Sequence, residues 1–187
     1  MKKIIKILVF IIIIISLIIF ILYKLRLPIL KIIYQIEYDE YVQKYSAEYD
    51  VDYYLILAII KAESNFDVDA ESSKGAKGLM QVMDTTAEEI AESINIDYDN
   101  INILDPETNI NLGTKYISTL IEKYECVELA LTAYNAGTGN VDSWIEDGVL
   151  NSDGSNIENI PYKETNNYVR KILRDYEIYK YLYSGGN

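Results

Sequence analysis

The stretch Asp52-Tyr53-Tyr54-Leu55-Ile56-Leu57-Ala58-Ile59-Ile60-Lys61-Ala62-Glu63-Ser64-Asn65-Phe66 decides the fold class and places the most informative side chain of the chain. Asp52 is a helix N-cap, a carboxylate able to accept the orphan N–H groups of a first turn. Leu55, Ala58, Ile59 and Ala62 then recur at three- and four-residue intervals, the period of an amphipathic helix running to about Glu63. Glu63 falls four residues after Ile59 and eight after Leu55, so it projects from the apolar face at the C-terminal end of that helix. Desolvation there disfavours a charged carboxylate, and the negative end of the helix dipole acts in the same sense, so both raise its pKa. Each unit of such a rise corresponds to about 1.4 kcal/mol. A carboxylic acid still protonated near neutral pH is what glycosidic bond cleavage needs as proton donor. The same residue also reads as a solvated glutamate at a frayed helix end.

Outward from this helix the pattern stays helical. Tyr34–Tyr49 is a first candidate helix in the soluble part, and residues 65–77 are polar, with Gly75 and Gly78 as turn signals. Thr85-x-x-Glu88 and Thr86-x-x-Glu89 each spell a capping box for a helix through about Ser93. Asp105-Pro106 places a cap and a first-turn proline before a helix to Tyr124. Further helices are expected over 125–135, 141–146 and 163–183, and a small strand pair near 75–82. The expected class is therefore α+β and predominantly α-helical.

Near the amino terminus, Ile7–Tyr23 gives 17 consecutive uncharged residues, almost all Ile, Leu, Val or Phe. At helical rise that is about 25 Å, extended by Ile4 and Ile5 if Lys6 snorkels. A basic start also fits a cleaved signal peptide, but Tyr-Lys-Leu-Arg-Leu-Pro follows the run in place of a small-x-small cleavage site. The expectation is one N-terminal transmembrane helix: a cytoplasmic tail and signal anchor over 1–25, a juxtamembrane connector over 26–36 broken or bent at Pro28, and a domain over 37–187. Three basic residues flank each side of the run, so the short N-terminal tail makes N-in, C-out the default. The domain would then be extracytoplasmic, held to the cytoplasmic membrane by a single pass.

Composition excludes more than it proposes. Of 187 residues none is histidine, which removes Ser-His-Asp, Cys-His and His-ligated zinc chemistry. One cysteine, Cys126, forbids an intrachain disulfide. Net charge is −12, but residues 1–31 hold six basic residues and no acidic one, leaving eleven basic against 29 acidic beyond them, a net −18. So acidic a body offers no footprint for nucleic acid. Asp97-x-Asp99 lacks the glycine and terminal glutamate of a calcium loop, so no metal and no cofactor is expected.

Four further blocks share a common order. Ala62-Glu63-Ser64 is followed by Gly78-Leu79-Met80-Gln81, then Ala133-Tyr134-Asn135-Ala136-Gly137, then Pro161-Tyr162-Lys163-Glu164-Thr165-Asn166-Asn167-Tyr168. Together they resemble the soluble lytic transglycosylase (SLT) domain family of the lysozyme-like superfamily, over roughly residues 40–183. The resemblance implies a lysozyme-like domain acting on peptidoglycan glycan strands, with Glu63 as single catalytic acid/base. It implies that Ser72 orients the N-acetyl group or the attacking hydroxyl, and that Gly75 and Gly78 let backbone pass close to the sugar. Gln81 and Met83 would line the saccharide cleft; Tyr134 would hydrogen-bond the catalytic glutamate, with Asn135 beside it; Glu164 and Tyr168 would be cleft residues. The reaction implied is non-hydrolytic cleavage of the N-acetylmuramic acid–β-1,4–N-acetylglucosamine bond to a 1,6-anhydromuramyl end. A hydrolytic muramidase of the goose-lysozyme type, with Asp67, Asp69, Glu71 or Glu164 as second carboxylate, stays open, as does a non-catalytic glycan-binding anchor. The family often has proline where Tyr53 and Asp84 stand here.

Overall fold

The computed structural model describes residues 2–185 and divides into two compact units, one comprising the segment through Gln35 together with the chain from Tyr181, the other Ile36–Lys180. In the first unit α1 spans Lys2–Ile33 and is long and apolar enough to cross a membrane. It does not end at the expected connector: Pro28 lies inside it and the helix continues to Ile33. A proline removes one N–H and crowds one turn, which bends a helix but need not stop one whose flanking residues are all good helix formers. At the exit, Arg26 Nη2 donates to the Tyr181 hydroxyl at 2.6 Å, and the Tyr183 hydroxyl donates to the Tyr34 carbonyl at 2.8 Å.

The second unit is a helical bundle of α2 (Asp39–Tyr49), α3 (Tyr53–Glu63), α4 (Asp84–Ser93), α5 (Pro106–Tyr124), α6 (Val127–Ala136), α7 (Thr138–Glu146) and most of α8 (Lys163–Tyr183). Local chemistry sets several boundaries. Asp52 Oδ1 accepts the Tyr54 N–H at 2.8 Å, and Asp105 Oδ2 accepts the Thr108 N–H at 3.0 Å behind Pro106. The capping boxes at Thr85 and Thr86 do not form. α4 already begins at Asp84, with Met83 in extended conformation before it and no side-chain cap. Asp84 instead accepts from Lys77 Nζ at 2.9 Å, a contact seven residues away that no local rule supplies.

α3 is the centre of this unit. Leu55, Ile56, Leu57, Ala58, Ile59 and Ile60 are all buried, so the helix is apolar all round where one stripe was expected. Such a helix is enclosed by the others. α5 packs on α2, α4 and α6, and α6 on α7. Among the described residues, β structure amounts to two isolated bridges, Glu71 with Lys77 and Lys77 with Val82, where the small strand pair was expected.

Candidate active site

α3 ends abruptly, and its ending builds the site. Asn65 and Phe66 adopt left-handed conformations at φ 51° and 68°, turning the chain away just after Glu63 and burying the Phe66 ring. The Ser64 hydroxyl ties this end to the returning loop: it donates to the Leu79 carbonyl at 2.9 Å and accepts the Phe66 N–H at 3.1 Å.

The loop over residues 70–82 forms one wall. Gly75 sits at φ 84° with open space around it, the requirement of a turn. The Ser72 hydroxyl accepts the Lys74 and Ala76 N–H groups at 3.3 and 3.0 Å, closing that turn. Gly78, at φ 74°, is buried, and a Cβ there would overlap the Asn109 side chain. Its close approach is thus to a neighbouring helix, not to open groove. Asn109, fully buried on α5, donates to the Lys77 and Ile103 carbonyls at 2.9 Å each and accepts the Met80 N–H at 2.7 Å. One amide therefore holds the loop through three bonds. Gly113, one turn on, makes room for the Met80 side chain. Gln81 is held in left-handed conformation (φ 49°) with its Nε2 donating to the Ala70 and Gly78 carbonyls at 2.9 and 3.0 Å.

Three adjoining cavities of about 280, 280 and 300 Å³ make a groove along this wall. The middle one brings together Glu63, Ser72, Gln81, Met83, Tyr134, Asn135 and Glu164, seven of the ten residues expected at the site. To one side the groove runs past Thr86 and Tyr116, to the other past Asn140, Tyr162 and Thr165. Met83 is exposed and offers an apolar surface. Asn135 Oδ1 accepts from the buried Thr165 hydroxyl at 2.7 Å, which joins α6 to α8.

Glu63 is half-buried, and burial pushes its carboxyl from 4.5 up to about 7; the Tyr168 hydroxyl and the positive charge of Lys171 pull the other way. The hydroxyl that meets the carboxylate belongs to Tyr168, which donates to Glu63 Oε1 at 2.5 Å. Tyr134, expected in that role, donates instead to the Met80 carbonyl at 2.8 Å and packs against Tyr116 with ring centroids 5.0 Å apart. The reason is topological: Tyr134 projects from α6 toward the loop, whereas Tyr168 projects from α8 beside the end of α3. Lys171, one turn beyond Tyr168, donates to the Ala62 carbonyl at 3.1 Å and so holds α8 against that helix end. Burial raises both tyrosine hydroxyls well above their ordinary value, so each is a neutral donor.

The sequence marked Ser64 only as part of the Ala62-Glu63-Ser64 block, with no role, and did not single out Asn109 or Lys171. Asn109 left a faint signal, a polar residue in phase with Leu112, Gly113, Tyr116 and Leu120 on the inward face of α5.

Fold and site together define a mostly helical, lysozyme-like groove domain with one protected carboxylic acid at its centre. Residues 40–152 match the family described as the transglycosylase SLT domain, and the chain belongs to that family. It is 32% identical over 153 residues to the soluble lytic murein transglycosylase of Escherichia coli strain K12, covering 80% of this chain and 24% of that protein. A membrane-bound lytic murein transglycosylase C of Edwardsiella ictaluri is 36% identical over 116 residues, 56% of this chain and 32% of that protein. An inactive Glu-to-Gln mutant of the lytic transglycosylase Slt from Pseudomonas aeruginosa superposes with a TM-score of 0.76 at 32% identity, covering 84% of this chain and 26% of that one. The chain thus spans about a quarter of the length of the soluble relatives it matches.

Proposed function

We propose that this chain is a peptidoglycan lytic transglycosylase in which Glu63 is the single acid/base. The observation that carries the reading is a half-buried carboxyl raised to about 7, opening into a groove that also presents Ser72, Gln81, Met83, Asn135 and Glu164. Protonated Glu63 donates to the glycosidic oxygen as the C1–O bond of N-acetylmuramic acid breaks. The carboxylate left behind accepts the proton of the C6 hydroxyl as that oxygen bonds to C1, giving a 1,6-anhydro end and restoring the acid. The nucleophile belongs to the same sugar, so no water need be positioned, and effective molarity favours closure. Tyr168 stabilises the carboxylate between the two transfers by donating to Oε1. Ser72 Oγ already accepts two backbone N–H groups, which directs its own O–H to an outside acceptor and suits it to orient the N-acetyl or C6 group. The Pseudomonas aeruginosa neighbour, inactive as a Glu-to-Gln mutant, supports an essential carboxyl in this family.

Mass spectrometry of digested peptidoglycan tests the reaction. Anhydromuramyl ends are expected, and reducing muramic acid ends would overturn it in favour of hydrolysis. One observation favours that second reading: of Asp67, Asp69, Glu71 and Glu164, it is Glu164 that lines the Glu63 cavity.

The same proposal makes residues 1–25 a short cytoplasmic tail and single-pass anchor in the cytoplasmic membrane, 26–36 its juxtamembrane connector and 37–187 a domain outside the cytoplasm. α1 and the membrane-bound relatives support it. External protease should degrade the domain in intact spheroplasts; protection until lysis would reverse the topology.

A further inference from the structure

Lys74 stands apart from the other described cations of the domain by its place in the groove, while several of the others are committed to ion pairs. Lys44 pairs with Glu107 at 2.6 Å, Lys77 with Asp84 at 2.9 Å, Lys123 with Asp142 at 2.7 Å and Lys180 with Glu177 at 3.1 Å. Among the described residues, the Lys74 ammonium has no carboxylate within ion-pair distance, and it is the one cation that lines the groove. It lines all three adjoining cavities, a position shared only with Asn135. The turn that carries it is held by Ser72 and opened by Gly75, so the stem of Lys74 is presented at a fixed place on the rim.

A strongly acidic body repels a polyanion, and its net −18 beyond residue 31 does so along the whole approach. Glycan strands of peptidoglycan carry a carboxylate on each muramyl unit, either free on the lactyl group or on the peptide attached to it. A lone cation on the groove rim is where such a group would be drawn in. We infer that Lys74 is a specificity residue that binds a muramyl-borne carboxylate and sets the register of the strand over Glu63. The inference rests on the glycan-cleaving reading above and names the part of the substrate that its groove selects.

The test measures binding by titration calorimetry with the full chain in detergent micelles. The ligands are peptide-bearing strands, peptide-free strands with the lactyl carboxylate exposed, and a neutral N-acetylglucosamine tetramer. Lys74→Gln should weaken carboxylate-bearing strands by about fivefold at low salt, the upper range for a solvent-facing ion pair, and leave the neutral tetramer unchanged. Lys74→Arg should restore binding, and added salt should erase the difference between parent and Gln variant. A loss on peptide-bearing strands alone places the carboxylate on the peptide; an equal loss on both strands places it on the lactyl group. Equal affinity of parent and Lys74→Gln for all three ligands overturns the inference. Cleavage that still requires Glu63 would then leave the proposed activity standing, whereas binding that depends on Lys74 without any cleavage would overturn the activity and keep the Lys74 contact.

Discussion

Two carboxylates face the same cavity from opposite ends of two helices. Glu63 closes α3, half-buried, where the helix dipole opposes a negative charge and the Tyr168 hydroxyl is the donor that meets it. Glu164 opens α8, exposed, in a first turn where the dipole favours a carboxylate. Identical functional groups lining one cavity are thus set in different surroundings by burial and by direction of chain. The contrast teaches that sharing a cleft does not make two acids alike: burial is what raises the Glu63 carboxyl.

The largest effect expected is from Glu63→Gln, which removes the proton donor and should lower kcat for strand cleavage by about 10²- to 10⁴-fold. The fold should not suffer. Because the folded-state pKa of Glu63 is raised to about 7, its contribution to stability is present below the ordinary carboxyl range and is lost as pH rises through about 7. Above that pH the Gln variant should melt at or above the temperature of the parent. A clearly lower melting temperature at pH 8 would mean that the carboxylate is not held at a cost.

Tyr168→Phe comes next. It removes a hydrogen bond to a charged group, and activity near pH 6 should fall by about tenfold. Since Tyr168 lowers the Glu63 pKa, its loss should move the alkaline limb of the pH–rate profile to higher pH. A limb that stayed in place would show that the 2.5 Å contact is packing alone.

Lys171→Met should shift the same limb in the same direction by less than Tyr168→Phe, because Lys171 is the weaker of the two influences. It is solvent-exposed, so kcat below the limb should stay within about twofold. The smallest effect is expected from Glu164→Gln: rates within about threefold of the parent, for a carboxylate that takes no part in proton transfer, and anhydro ends unchanged. Abolished cleavage would erase the distinction between the two acids and restore a two-carboxylate mechanism.

The sequence was legible where chemistry is local. Asp52 and Asp105-Pro106 announced their helices because a cap and its N–H partner lie within three residues. The isoleucine run and the end of α3 were equally plain. Contacts across the fold were not. Eighteen tyrosines offer no local mark for the one that touches Glu63, and Tyr168 lies 105 residues away from it. Thr85 and Thr86 spelled capping boxes, but Asp84 had begun the helix earlier while pairing with Lys77 across the small bridge. The expected stripe on α3 became a buried helix because distant segments, α2 packed on it and α8 bonded to its end through Tyr168 and Lys171, supply neighbours that a single segment cannot reveal.

The matching of Gly78 with Asn109 limits how this domain can be re-engineered. Any side chain at 78 meets two obstacles, a backbone at φ 74° and the amide of Asn109. Shrinking residue 109 clears space but abandons three hydrogen bonds and leaves the backbone torsion as it was. No single compensating change repairs the position. Variation that alters ligand preference is therefore to be sought at Lys74 and Met83, which are exposed on the groove, while the floor beneath them tolerates almost none.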